Sequence, residues 1–213
     1  MFGGSLDDIT KARAAASAAS VEVMSEDGVV APPILASDLL LYPYQLYKLS
    51  LAGADAVSLV VGALPKKDLT YLIKIAASLK IQTLASVTSE VQLQALAELP
   101  KGAIAAVVVS NRELEDYSVD MTGDQALNLL RSSAMEKVRE VHDIPVFAEG
   151  GVGAIERPPG SDENSPGSYL EELKHAGASG CIVGRGLVKD GMDSSEIVQL
   201  LQKQTVSAST SSS

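Results

Sequence analysis

The residues of this chain that could do chemistry stand just past short apolar runs. Glu149 follows Val146, Phe147 and Ala148, and Asp38 follows Ile34, Leu35, Ala36 and Ser37. Two carboxylates over one ligand can divide the acid and base roles of a proton transfer. Gly150 and Gly151 follow the first of these runs, and Gly184 and Gly186, flanking Arg185, follow a later one. Glycines there let backbone amides approach an anion closely, the helix N-termini behind them add a favourable dipole, and Arg185 adds positive charge. The chemistry implied is the holding of a small anion. The same glycines also suit tight strand-to-helix turns, and both readings stand. Arg112 is open in the same way, between touching a ligand and pairing with Glu113 or Glu115.

Other reactive side chains are read more plainly. Ser37, Ser86 and Ser110 have no neighbouring partner of the kind a nucleophilic triad requires. His142 and His175 fall at expected helix ends, where an imidazole meets the carbonyl dipole. Cys181 lies in the run Gly180, Cys181, Ile182, Val183 and is expected to be a buried, inert thiol. No spacing of His, Cys or Asp resembles a metal site, and no cofactor is expected. Tyr42, Tyr44 and Tyr47 around Pro43 are read as packing at a helix start, with a partner surface as the alternative.

The balance of the 213 residues bounds what such groups can serve. Lys and Arg number 17 against 27 Asp and Glu, a net charge of −10, which repels phosphate backbones and anionic membranes. Nucleic acid is not an expected partner, whereas a small phosphorylated ligand needs only a few local donors. With 46% hydrophobic and 21% charged residues a packed core is expected. A single cysteine allows no internal disulfide, so a reducing compartment is expected, cytoplasm or plastid stroma, without secretion or a membrane span.

The elements that must position these groups follow from periodicity. Runs rich in Val, Ile and Ala without polar alternation read as buried parallel strands at Pro33 to Ala36, Ala56 to Val61, Thr83 to Val87, Ala105 to Val109, Pro145 to Ala148 and Gly180 to Val183. Helical spacing joins them: Leu69, Leu72, Ile73, Ala76 and Leu79; then Val91, Leu93, Leu96 and Ala97; then Leu129, Leu130, Met135, Val138 and Val141. Leu6 to Ala19 forms a further helix. Gly53 and Gly177 stand in echoing segments, Leu51 to Ser58 and His175 to Ile182, each a helix end, a glycine stop and a strand. The order is that of an α/β parallel sheet with right-handed crossovers. One domain over residues 1–204 is expected, interrupted by exposed loops at Ser17 to Val30 and Glu156 to Ser168, with a disordered tail over 205–213.

Several of these segments resemble indole-3-glycerol phosphate synthase, a (β/α)8-barrel family of tryptophan biosynthesis. The resemblance rests on Phe2 to Asp8 (Phe-Gly-Gly-Ser-Leu-Asp-Asp), on the strand running into Ser37, Asp38 and the Pro43, Tyr44, Gln45 helix start, and on Ala52 to Val57. It continues through Leu84 to Val87, Ser110 to Asp120, Phe147 to Gly151, Ala176 to Ala178 and Ile182 to Leu187. It implies a TIM (β/α)8-type barrel of which this chain covers about six of the eight βα units, entering just after the second strand. Six units leave two pairing edges, so the expectation is that upstream sequence or a partner chain covers them.

The resemblance also implies a chemistry, and this chain departs from it. The family closes an indole ring on carboxyphenylamino-deoxyribulose phosphate, losing carbon dioxide and water. Its lysine general acid falls on Ser37, its fifth-strand glutamate on Ser86 and the asparagine after its sixth strand on Ser110. Its seventh-strand glutamate is matched by Glu149, followed by Gly150 where serine is usual. Losing a general acid alone costs about 100- to 10,000-fold. The expectation is a diverged barrel without ring-closing activity, serving as a structural or interaction subunit or as a binder of a phosphorylated metabolite. The alternatives are an active carboxy-lyase whose first strands lie elsewhere, and a different reaction on a related ligand using Glu149 and Asp38.

Overall fold

The computed structural model describes residues 4–19, 31–113, 116, 118–152, 155 and 168–184. The chain divides into two compact units, the first of residues 1–86 and 99–105 and the second of residues 87–98 and 106–213.

The first unit opens with α1 (Leu6–Ala19), β1 (Leu35–Ser37), α2 (Pro43–Ala52), β2 (Ala56–Val60), α3 (Lys66–Ser78) and β3 (Gln82–Val87). Its strands run parallel in chain order, with Ala36 opposite Val57 and Leu59 opposite Ala85. Val57, Leu59 and Ala85 are fully buried, as are Leu46 of α2 and Ala76 of α3, so the core lies between sheet and helices. Pro43 fills the first helical position of α2, where a missing N–H costs nothing. Gln45 reaches back to accept from the N–H groups of Leu41 and Tyr42 at 2.8 and 2.9 Å. Gly53 ends α2 at φ +95°, the left-handed stop expected of it. Arg13 of α1 donates twice to the Gly53 carbonyl, at 3.0 and 2.8 Å, and pairs with the Asp55 carboxylate. That carboxylate also accepts from Ile34 N–H at 2.6 Å, so α1 is tied to the start of both β1 and β2.

The second unit contains α4 (Glu90–Ala97), β4 (Ala106–Ser110), α5 (Asp124–Leu130), α6 (Ser133–His142), β5 (Val146–Glu149), α7 (Tyr169–His175) and β6 (Gly180–Ile182). Its strands are again parallel and in chain order. Leu93 and Leu96 of α4, Met135 and Val138 of α6, and Val107 and Val109 of β4 are fully buried. Gly177 follows α7 at φ +90°, matching Gly53 and bearing out the echo between the two segments.

Alternating helices and parallel strands in chain order are the βα repeat expected from the sequence, of the (β/α)8-barrel class. All six strands appear, displaced by a residue or two. Three of them extend at their C-terminal ends onto a polar residue, Ser37, Ser110 or Glu149, and a fourth begins at Gln82, because the ladder is made by backbone groups and tolerates polar side chains at its ends.

Three expectations need correction. The spacing of Leu129 to Val141 read as one helix, but the chain breaks at Arg131 and Ser132 into α5 and α6. Ser132 caps the second, its hydroxyl accepting from Met135 N–H at 3.2 Å. Residues 17–19 of the expected loop belong to α1, while 20–30 lie outside the described residues. In the second loop Ser168 is the N-cap of α7, accepting from Glu171 N–H at 3.3 Å, and 156–167 lie outside the described residues, as does the 205–213 tail. Third, the packing expected of Tyr42, Tyr44 and Tyr47 at the helix start lies on the surface. They are exposed, Tyr42 and Tyr44 stack at 6.2 Å, and the Lys48 ammonium lies 5.3 Å from the Tyr44 ring. The helix start is secured by Pro43 and Gln45 instead.

Candidate functional site

In the first unit, strand ends carry hydroxyl groups. β1 ends at Ser37, exposed and in register with Ser58 of β2, while Ser86 near the end of β3 is buried opposite Val60. Asp38 follows β1, is exposed, and accepts from the N–H of Leu39 at 2.7 Å, an arrangement that turns the chain toward α2. A cavity of about 290 Å³ lies at the opposite end of this sheet, at the start of β3, lined by Ile73, Lys80, Thr83, Gly102 and Ile104 among others. It meets none of the candidate residues, and its lining carries no acid or base pair.

The second unit gathers a denser set. Ser110, the last residue of β4, is in register with Glu149, the last residue of β5, and Glu149 is in register with Ile182 of β6. Neighbouring strands stand about 4.8 Å apart, so a buried hydroxyl and a half-buried carboxylate lie side by side at the C-terminal ends of two adjacent strands. Gly150 and Gly151 follow at φ +89° and +79°, consecutive left-handed residues that turn the chain sharply away from the strand. A side chain would be strained at either place by the positive φ, and more crowded at Gly151. A Cβ on Gly150 would stand 3.2 Å from Asn111 Cβ, and one on Gly151 would meet Ile155 Cδ1 at 2.5 Å. Arg112, half-buried, forms an antiparallel bridge to Val119 and is engaged in a further interaction. Gly184 is exposed, with open space where a Cβ would stand. Arg185 and Gly186 lie outside the described residues.

Two residues of this set carry no chemistry in the sequence reading. Asn111 is fully buried beside Ser110, donating through Nδ2 to the Asp120 carbonyl at 2.6 Å. The Asp120 carboxylate accepts from the N–H and hydroxyl of Thr122 at 2.8 and 2.6 Å and from Gln125 N–H at 3.2 Å. Burial raises its pKa, but these hydrogen bonds outweigh burial and hold it below the usual carboxylate value. The signal for Asp120 is the Asp-x-Thr spacing before α5, a local turn motif; Asn111 has no such local signal.

The histidines act structurally. His142 is buried and its Nε2 donates to the Leu96 carbonyl at 2.8 Å, so it meets carbonyls at the end of α4 and not those of its own helix. His175 lies against Glu171 O of α7 at 2.8 Å, as expected of a helix end. Burial pushes the Cys181 thiol up to about 11, so it is not a thiolate at neutral pH. Among the described residues no group of three or more His, Cys, Asp or Glu is placed to hold a metal, and no helix is long and apolar enough to cross a membrane.

The chain is similar to known proteins over most of its length. The family profile described as indole-3-glycerol phosphate synthase matches residues 1–200. The indole-3-glycerol phosphate synthase of Acaryochloris marina is 30% identical over 189 residues, covering 89% of this chain and 52% of that protein. The one from Trichodesmium erythraeum is 32% identical over 175 residues, covering 80% and 52%. The chain therefore spans about half the length of these curated relatives. Among solved structures, a chain of the tryptophan synthase complex of Pyrococcus furiosus aligns with TM-score 0.47 and 18% identity, over 78% of this chain and 64% of that one.

Proposed function

This chain belongs to the indole-3-glycerol phosphate synthase family, and from that premise we propose that it holds a small phosphorylated ligand at the strand ends of its second unit without closing an indole ring. The observation that carries the reading is the contrast of groups among the strand ends of both units. Where the family resemblance implies lysine, glutamate and asparagine stand Ser37, Ser86 and Ser110, while Glu149 is kept and Gly150, where the family usually has serine, opens the Gly150–Gly151 turn.

Ring closure asks a proton donor to meet a carbonyl as the bond forms. A serine hydroxyl titrates far above neutral pH and bears no charge, so Ser37 neither donates efficiently nor steadies developing negative charge. A single carboxylate at Glu149 can accept a proton, but among the described residues the group in register with it on β4, Ser110, offers only a hydroxyl. Anion binding asks less. Two consecutive glycines keep side chains away from their own amides, and Arg112, two residues past Ser110, and Arg185, next to Gly184, supply charge within an acidic chain. Service as an interaction subunit is compatible with this reading, since a bound metabolite can stabilise a fold that partners recognise.

The test is calorimetric titration with carboxyphenylamino-deoxyribulose phosphate and with inorganic phosphate, followed by recovery of the ligand. Saturable binding of both, with the organic ligand recovered intact, is expected. Absence of binding to either would remove the proposal. Recovery of indole-3-glycerol phosphate would favour the carboxy-lyase reading, for which Glu149 and the match to enzymes of that name speak.

A further inference from the structure

We propose that Asn111 is a positioning residue that fixes the Gly150–Gly151 turn and the Arg112 strap in one arrangement, an inference resting on the reading of that turn as the phosphate contact. Asn111 is fully buried and every polar group it owns is engaged. Its N–H donates to Glu149 O at 2.9 Å, and its carbonyl accepts from Asp120 N–H at 3.0 Å. Its Nδ2 donates to Asp120 O at 2.6 Å, and its Oδ1 accepts from Ala126 N–H at 3.3 Å. One side chain thus joins the end of β4 to the far end of the 112–120 strap and to the first turn of α5.

The same residue bears on the glycine turn. Gly150 lies so close that a Cβ there would stand 3.2 Å from Asn111 Cβ and 3.3 Å from its carbonyl carbon and oxygen. The strap that Asn111 closes runs from Arg112 to Val119, which bridge each other, and Val119 Cγ1 lies 3.3 Å from the Cβ position of Gly151. Asn111 therefore backs the first glycine directly and the second through Val119.

An amide is the group this place requires. Its two ends must offer a donor to one backbone carbonyl and an acceptor to one backbone N–H, which fixes its orientation. Aspartate has the same shape but no donor at neutral pH, so it would face the Asp120 carbonyl with lone pairs and bury a charge. Serine is shorter and spans neither partner fully. Leaving buried backbone groups unpaired in this way loosens the strap by a free energy equivalent to about tenfold to a hundredfold in opening.

The experiment compares the full chain with Asn111→Asp, the milder Asn111→Ser, and Ser132→Ala, which removes the α6 cap and lowers stability without touching the strap. Amide hydrogen exchange at Gly150, Gly151, Arg112, Glu113 and 118–123 is measured without ligand, and inorganic phosphate affinity is measured by calorimetry. Both Asn111 variants are expected to speed exchange at these amides by about tenfold to a hundredfold and to weaken phosphate binding about tenfold or more. Ser132→Ala should leave both readouts near the parent value. Unchanged exchange at Gly150 and Gly151 in whichever Asn111 variant folds overturns the proposal, as does loosened exchange with unchanged phosphate affinity. If the parent binds no phosphate, the reading of the turn as an anion site fails, and with it this inference; the exchange data then separate a structural tie from none.

Discussion

The strand ends of the two units present different degrees of construction. In the first, Ser37 and Asp38 are exposed, and the Asp38 carboxylate bonds only to the neighbouring Leu39 N–H among the bonds described for it. In the second, Ser110 and Asn111 are buried, Glu149 stands in register beside Ser110, and the strap, the glycine turn and α5 converge on Asn111. The family's resemblance places its general acid in the first region and an anion-facing turn in the second. On the proposed reading, an ordered backbone stands where amides would hold the anion, whereas hydroxyls stand where the resemblance implies proton-transfer groups. A phosphate contact made by backbone needs a held geometry more than any particular side chain, so these two functions can part within one fold.

Substitution of glycines with positive φ in the two units would break this comparison if it is wrong. Gly151→Ala is expected to cost about 3 kcal/mol, since left-handed strain adds to overlap with Ile155 Cδ1 at 2.5 Å. Gly102→Ala in the first unit, at φ +81° but with nothing within 4 Å of the Cβ position, should cost only about 1 kcal/mol. Urea unfolding of both variants checks the difference; equal losses would mean that the second unit's turn is not the more closely packed.

A second contrast sets the two carboxylate anchors side by side. Arg13→Ala should destabilise the first unit by about 1 kcal/mol, the modest figure reflecting a pair that is 29% and 44% exposed. Thermal unfolding measures it, and no change in midpoint would show that α1 is held by packing alone. The smallest effect is in pH. Burial raises the pKa of Asp55 and of Asp120, yet hydrogen bonds to Ile34 and Arg13 in one and to Thr122 and Gln125 in the other leave both lowered. A folded pKa below the unfolded one means that the contribution is present above about pH 4 and is lost as pH falls through the folded value. Stability should therefore be flat in these terms from pH 5 to 7 and decline below pH 4, with Asp120→Asn flattening the decline in the second unit.

Much of the fold is legible in the sequence because buried parallel strands require unbroken apolar runs, and Ala56 to Val60 or Ala106 to Val109 have little other use. The paired stops at Gly53 and Gly177 are legible because few other residues suit a left-handed cap. The break between α5 and α6 is hidden by apolar spacing that continues across it, although Ser132 carries a cap's chemistry. The positions of Ser110, Glu149 and the glycine turn follow from strand ends. Asn111 does not, because its partners lie 9 and 15 residues away and only the folded strap brings them to it.

The central claim is the separation of ligand holding from ring closure, and turnover tests it most directly. The full chain is incubated with carboxyphenylamino-deoxyribulose phosphate at saturating concentration, and indole formation is followed by its fluorescence. The account predicts a rate at least about 100-fold below the ordinary enzyme range of about 1 to 1,000 per second. Indole formation within that range would contradict it.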